Sequence, residues 1–193
     1  MQNSDQILYQ ANQLWNQGNR AQAFPYYLRA AQMGNRDAQA TTAYCYSTGI
    51  GTAKDPEKTF FWYQKSAEQG SAVGISSLGW CYEKGFGVTR DISRAFSLYL
   101  RAAQMGNALA QANLANCYAN GWGVDIIPGE AVRWYRLAAE QNEPAGNCGL
   151  GWCYEKGFGV TKDMEMAFAY YRKAAEQDYV TALANLGNCY LNG

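Results

Sequence analysis

Three groups of residues in this chain are of types that could do chemistry: six cysteines, four loops built on paired glycines, and a recurring set of glutamates. An even cysteine count can build a disulfide framework, a zinc site or a thiolate nucleophile. The cysteines are Cys45, Cys81, Cys117, Cys148, Cys153 and Cys189, and five of them fall at a constant step (81 − 45 = 36, and the same to 117, 153 and 189). If that step is a stacked helical unit, equivalent positions lie about 8–10 Å apart. A disulfide needs its Cα atoms within about 7 Å. Cys148 and Cys153 are i, i+5 on one helix and point to different faces. No C-x-x-C is present for zinc, and histidine is absent altogether. Its absence removes Cys–His and Ser–His nucleophiles, imidazole metal sites and histidine pH switching. The expectation is therefore buried, free thiols acting as small apolar residues.

The paired glycines occur as GFGV at Gly85–Gly87 and Gly157–Gly159, with related loops at Gly49–Gly51 and Gly121–Gly123. A phosphate-binding fingerprint follows a strand and opens a helix at once. Here each loop follows a helical pattern and the next helix starts several residues later. Thr161-Lys162 also lacks P-loop spacing. The glycines read as turn residues, with Phe86, Trp122 and Phe158 expected to plug the loop against the adjacent unit. Glu68, Glu140 and Glu176 recur near the end of one helix of the unit, and Glu83 and Glu155 near the end of the other. A catalytic carboxylate pair should occur once, not as a ladder, so solvated faces and ion pairs between repeats are expected.

These residues must be positioned by a repeat. The stretch WCYEKGFGVT occurs at 80–89 and unchanged at 152–161, an offset of 152 − 80 = 72. ANLANCYANG at 112–121 and ANLGNCYLNG at 184–193 are offset by the same 72. Within that pair the basic period is 36. A Tyr follows each spaced Cys, at Tyr46, Tyr82, Tyr118, Tyr154 and Tyr190. Further rows are Tyr27, Tyr63, Tyr99, Tyr135, Tyr171 and Ala31, Ala67, Ala103, Ala139, Ala175, and the loop-glycine row ends at Gly193. Such self-similarity is the mark of a repeat array. Each unit reads as two helices. Helix A of one unit spans about 73–84, with Gly74, Leu78 and Cys81 on one face, and Gly85 stops it in the left-handed region. Helix B opens at an N-cap Asp, as at Asp91 and at Asp55-Pro56. It ends before Gly34, Gly70, Gly106, Asn142 or Asp178, of which Asp suits positive φ least. The small residues of the Ala38 column (with Gly74, Gly146) and the Ala43 column (with Gly79, Gly151) allow close helix approach. One unit cannot bury its aromatic face alone, so the units must stack.

Bulk properties permit this. Lys+Arg and Asp+Glu are both 16, giving zero formal net charge and no electrostatic reason to expect nucleic acid or an anionic membrane as partner. Aromatics reach 15%, ample for a core. No apolar run approaches the roughly 20 residues that span a bilayer. The start, MQNSDQILYQ, lacks the basic and apolar regions of a signal peptide, so a cytoplasmic location is expected.

The pattern Gly79, Tyr82, Gly85, Gly87, Val88, Asp91, Ala95, Tyr99, Ala102, Ala103 and Gly106 resembles the Sel-one-like repeat family, a relative of the tetratricopeptide repeat. The resemblance covers about 36–193. It implies an all-α, right-handed α-solenoid of stacked helix-turn-helix repeats with the 36-residue period. We expect a single repeat domain, 1–193, with repeats at 36–70, 71–106, 107–142 and 143–178. A terminal half repeat follows at 179–193, where Leu183, Leu186 and Tyr190 would be partly uncovered. Residues 4–35 have a short Gly18-Asn19 turn and read as a tetratricopeptide-like capping repeat, in which Pro25 should kink the second helix. Ile127 replaces the capping Asp of the third full unit. Some secreted members of the family bridge helices with cysteine pairs, but the second cysteine column is missing here.

Columns shared between repeats build the scaffold, and columns that differ are candidates for binding. Position 41 runs Thr41, Ser77, Asn113, Gly149, Asn185; position 44 runs Tyr44, Trp80, Asn116, Trp152, Asn188; position 48 runs Thr48, Lys84, Asn120, Lys156, Asn192. The resemblance implies that helix A lines the concave surface. That surface would alternate aromatics, which dominate hot spots, with amides that both donate to and accept from a peptide backbone. The candidate partner-binding residues are Tyr44, Trp80, Asn113, Asn116, Trp152, Asn185 and Asn188, with Trp80 the foremost. The expected function is a non-enzymatic scaffold or adaptor for a protein or extended peptide, without cofactor, metal, nucleic acid or membrane. Self-association through the uncapped C-terminal end is a further reading. The alternatives are an enzyme-like or ligand-binding member recognising cell-wall or other small molecules, and a purely architectural segment.

Overall fold

The structure, a computed structural model, describes residues 3–192 without the side chains of Tyr190 and Asn192. Gly193 of the glycine row and those two side chains lie outside the described residues. Among the described residues the chain is all-helical, with eleven α-helices and no strand. It divides into two compact units, Met1–Leu98 and Tyr99–Gly193.

The N-terminal unit holds α1 (Ser4–Asn16), α2 (Arg20–Gln32), α3 (Arg36–Thr48), α4 (Pro56–Glu68) and α5 (Ala72–Lys84), and the division falls within α6 (Ile92–Gln104). The C-terminal unit continues with α7 (Ala108–Asn120), α8 (Pro128–Glu140), α9 (Pro144–Lys156), α10 (Met164–Ala175) and α11 (Val180–Asn192). In each unit every helix packs on the next, and alternate helices also meet, α3 on α5 and α7 on α9. Odd-numbered helices are therefore helix A of a repeat and even-numbered ones helix B.

Local chemistry sets the bounds. The Asn35 side chain accepts from the Ala38 N–H at 2.9 Å, and Asn107 does so from Ala110 at 2.8 Å, capping α3 and α7. Asp55, Asp91 and Asp163 cap α4, α6 and α10, each 2.9 Å from the N–H three residues on. Ile127 makes no such bond, as expected, and α8 starts with Pro128 alone. The left-handed positions also fall where expected. Asn142 and Asp178 adopt φ 63° and 57°, taking the place of Gly34, Gly70 and Gly106. Pro25 sits inside α2, which runs on through it to Gln32.

The cysteine–tyrosine row has a backbone purpose that its side chains do not reveal. The Cys carbonyl accepts from the second residue past the helix: Phe86 to Cys81 and Phe158 to Cys153 at 2.9 Å, Trp122 to Cys117 at 3.0 Å. The neighbouring Tyr carbonyl accepts from the N-cap of helix B: Asp55 to Tyr46, Asp91 to Tyr82, Ile127 to Tyr118 and Asp163 to Tyr154, all at 2.9–3.0 Å. The loops after α5, α7 and α9 are thus Schellman closures followed by a clasp, and the loop after α3 shares the clasp. Phe86 and Phe158 supply the hydrophobic half of that motif on their own helix A, with ring centroids 5.1 Å from Trp80 and 4.9 Å from Trp152. The second loop glycine makes a close approach to the neighbouring repeat. A Cβ on Gly51, Gly87 or Gly159 would lie 2.0–2.7 Å from the carbonyl oxygen of Arg20, Pro56 or Pro128, the first residue of the preceding helix B.

One further column carries buried glutamines in alternate repeats. Gln39 donates to the Ala31 carbonyl and accepts from Gln69 at 2.7 Å. Gln111 does the same with Ala103 and with Gln141 at 2.8 Å. This ladder recurs at 111 − 39 = 72, so the repeat pair is a packing unit as well as a sequence one.

Candidate functional site

The cysteines are free, and Cys45, Cys81, Cys117, Cys148 and Cys153 are buried. Burial pushes the Cys45 and Cys148 thiols up to about 11 and those of Cys81 and Cys153 to about 12, the wrong direction for a nucleophile. Among the described residues no group of His, Cys, Asp and Glu could hold a metal ion. Four of the glutamates meet a cation close to them in sequence. Glu68 meets Lys65, Glu83 meets Lys84, Glu155 meets Lys156 and Glu176 meets Arg172.

The site that does form lies on the helix-A face of the C-terminal unit. A cleft of about 280 Å³ opens between α7 and α9 and reaches α11. Its lining includes Asn116, Asn120, Tyr135, Gly149, Trp152, Tyr179 and Asn185. A second cleft of about 290 Å³ lies between α9 and α11, lined by Trp152, Glu155, Lys156, Met164, Asn185, Asn188 and Cys189. Trp152 and Asn185 are common to both, so the indole divides one continuous surface into a neutral and a charged compartment.

The tyrosine row builds the floor. Tyr135 rises from α8 and donates to Asn116 Oδ1 at 2.5 Å. Tyr171 rises from α10 and donates to Glu155 Oε2 at 2.7 Å. Both rings are buried, and burial pushes both hydroxyls above the usual tyrosine range. They fit only because helix A is bare beneath them. A Cβ on Gly149 would sit 2.2 Å from the Tyr135 ring, and one on Gly151 2.6 Å from the Tyr171 ring. Lys156 and the Tyr171 hydroxyl together hold the Glu155 carboxyl below the usual carboxylate range. The Asn185 amide reaches Cys148 Sγ at 3.7 Å.

Four of the seven sequence candidates, Asn116, Trp152, Asn185 and Asn188, therefore line these two clefts. Asn113 is half-buried on α7 and is not part of either lining. Tyr44 belongs to the N-terminal unit, where it is 45% exposed and lines a shallower cleft of about 260 Å³ with Tyr63, Val73 and Ser77. Trp80, also of the N-terminal unit, is half-buried and packs on Phe86 as Trp152 packs on Phe158. Sequence reasoning missed Tyr135, Tyr179 and Glu155 as lining. Tyr135 was visible as a member of the tyrosine row, but the row was read as core, and only its hydroxyl end reaches the face.

Sel1 repeats match at residues 17–35, 36–71, 73–107, 108–143, 144–179 and 180–193, so the second helix of the capping repeat also fits the family. The chain is 32% identical to a Sel1 repeat protein from Oxalobacter formigenes, whose crystal structure superposes with a TM-score of 0.81 over 95% of this chain and 75% of that one. It is 31% identical to a protective antigen of uropathogenic Escherichia coli strains displaying an SLR fold, with a TM-score of 0.77 over 96% of this chain and 40% of the antigen. A putative Sel1 repeat protein from Klebsiella pneumoniae shares the fold at 18% identity and a TM-score of 0.66, over 97% of this chain and 93% of that one. No curated protein matches the chain. Members of the family generally serve as protein-interaction scaffolds, and among the described residues no helix is long and apolar enough to cross a membrane. The chain belongs to the Sel1 repeat family and has the all-α helical solenoid fold of that family.

Proposed function

We propose that the chain is a non-enzymatic scaffold or adaptor that binds an extended segment of a partner protein across α7, α9 and α11. The observation that carries this reading is the pair of clefts on either side of Trp152, bordered by Asn116, Asn185 and Asn188. Asparagine side chains match the donor–acceptor alternation of a peptide main chain, and a half-exposed indole gives apolar contact at little entropic cost. Three stacked helices span about 16–20 Å, which an extended peptide covers in about five or six residues. The one carboxylate at the clefts, Glu155, is paired and held ionised, so it is unsuited to act as a general acid. Buried, free thiols favour a reducing compartment, and the cytoplasm fits.

The test is selection from a displayed library of random linear peptides, followed by solution binding of the enriched sequences. We expect micromolar binders that lose at least tenfold in affinity on Asn185→Ala with Asn188→Ala, at unchanged helical circular dichroism. Binders unaffected by that double variant place the surface elsewhere.

A further inference from the structure

The cleft between α9 and α11 carries charge in an arrangement that its neutral neighbour lacks. The two oxygens of Glu155 are held differently. Oε2 receives the hydroxyl of Tyr171, a fully buried residue, at 2.7 Å. That contact fixes the carboxylate from beneath. Oε1 receives Lys156 Nζ at 2.5 Å, from a side chain that is 55% exposed. Adjacent helical residues do not face one another, so the lysine stem must fold back to make this pair. An exposed pair of this kind is weak and screened by water. Trp152 and Met164 line the cleft too, with Asn185, Asn188 and Cys189. The same pair is built again in the N-terminal unit, where Lys84 Nζ lies 2.5 Å from Glu83 Oε1, three residues beyond Trp80.

An anchored carboxylate beside an indole and a thioether is a seat for a flat cation. A guanidinium can take two hydrogen bonds to the carboxylate while lying on the indole face. We infer that this cleft receives an arginine side chain of the bound peptide, which pairs with Glu155 in place of Lys156. Lys156 is then a resident stand-in, holding the carboxylate while the cleft is empty and swinging into solvent when a better cation arrives. The inference rests on the α7/α9/α11 face being the binding surface, and it adds the residue type that the partner must carry.

The test uses the whole chain and a minimal probe, N-acetyl-arginine methylamide, with the isosteric but neutral citrulline derivative as control. The Trp152 indole N–H resonance reports occupancy. A saturable shift is expected with arginine, at least tenfold weaker with citrulline. Glu155→Gln, which keeps an acceptor for Tyr171, should weaken the arginine response at least tenfold at unchanged helical circular dichroism. Lys156→Ala should strengthen it severalfold. Equal responses to arginine and citrulline, no arginine response, or an unchanged response in Glu155→Gln would each overturn the inference. Displayed peptides that depend on Asn185 and Asn188 but show no arginine preference would overturn it too, and leave the scaffold reading standing. A specific arginine response without any peptide capture would support the seat and count against the scaffold.

Discussion

The Tyr135 hydroxyl donates to Asn116 Oδ1 at 2.5 Å, so one of the asparagines lining the cleft between α7 and α9 is also the acceptor for a buried tyrosine. The residue serves packing and the cleft at once. Asn116→Ala leaves that hydroxyl without its acceptor and should cost about 1–3 kcal/mol, read as a lower urea midpoint. Asn116→Asp keeps an acceptor and should cost less. Pairing Asn116→Ala with Tyr135→Phe should recover part of the loss, because both ends of the bond are then removed.

Three glycines should respond to alanine in three ways. At Gly159, φ is +68° and a Cβ would meet the Pro128 carbonyl oxygen at 2.6 Å. Backbone strain and a backbone clash then add, and a loss of roughly 2–4 kcal/mol is expected. Gly70 has φ +75° but open space around it, so only the conformational cost of about 1 kcal/mol remains. Gly187 lies inside α11 with nothing near its Cβ position, and alanine there should stabilise by about 0.5–1 kcal/mol. Thermal melts of the three variants check the order.

Ile127 is the N-cap of α8 but makes no capping bond. Ile127→Asp restores the residue that works at Asp55, Asp91 and Asp163 and should stabilise by about 0.5–2 kcal/mol. Asp163→Ala should destabilise by a similar amount. A melting temperature that falls in Ile127→Asp would contradict this account of the caps.

Buried tyrosines and thiols set the alkaline limit. Tyr27 and Tyr63 are pushed up to about 12 by burial, as are Cys81 and Cys153. A folded-state value above the unfolded one means that stability is fully present below the unfolded value and is lost as pH rises towards the folded one. Urea midpoints should therefore hold steady from pH 7 to about 8 and fall progressively above about 9. On the acid side, Glu155 is held low by Lys156 and Tyr171, so its contribution is present at neutral pH and fades as pH drops below the ordinary carboxylate range.

The repeat made most of the fold legible. Thirty-six-residue rows placed Gly85, Asp91 and Asn142 at their helix ends because caps and left-handed turns are local chemistry, written in one or two residues. The glutamine ladder of Gln39, Gln69, Gln111 and Gln141 was not legible, because each bond joins residues about 30 apart in sequence and skips alternate repeats. Site prediction split on the same line. Asn116, Trp152, Asn185 and Asn188, singled out by where the repeats disagree, line the two clefts. Trp80 and Trp152 make the same contact with the phenylalanine of their own loop, Phe86 and Phe158, so the difference between them is that Trp152 alone borders the two clefts of the C-terminal unit. Glu155 was passed over as one rung of a charge ladder. What sets it apart from the glutamates near the ends of the helix-B segments is the Tyr171 hydroxyl beneath it, a contact between two helices.

The central claim is that the face of α7, α9 and α11 takes an extended peptide. Its most direct measurement is a titration of the isotope-labelled chain with a selected linear peptide, following the side-chain amides of Asn116, Asn185 and Asn188 and the Trp152 indole. The account predicts that these four signals shift together, saturate at one peptide per chain and give the same dissociation constant. Saturable binding that leaves all four unmoved would contradict it.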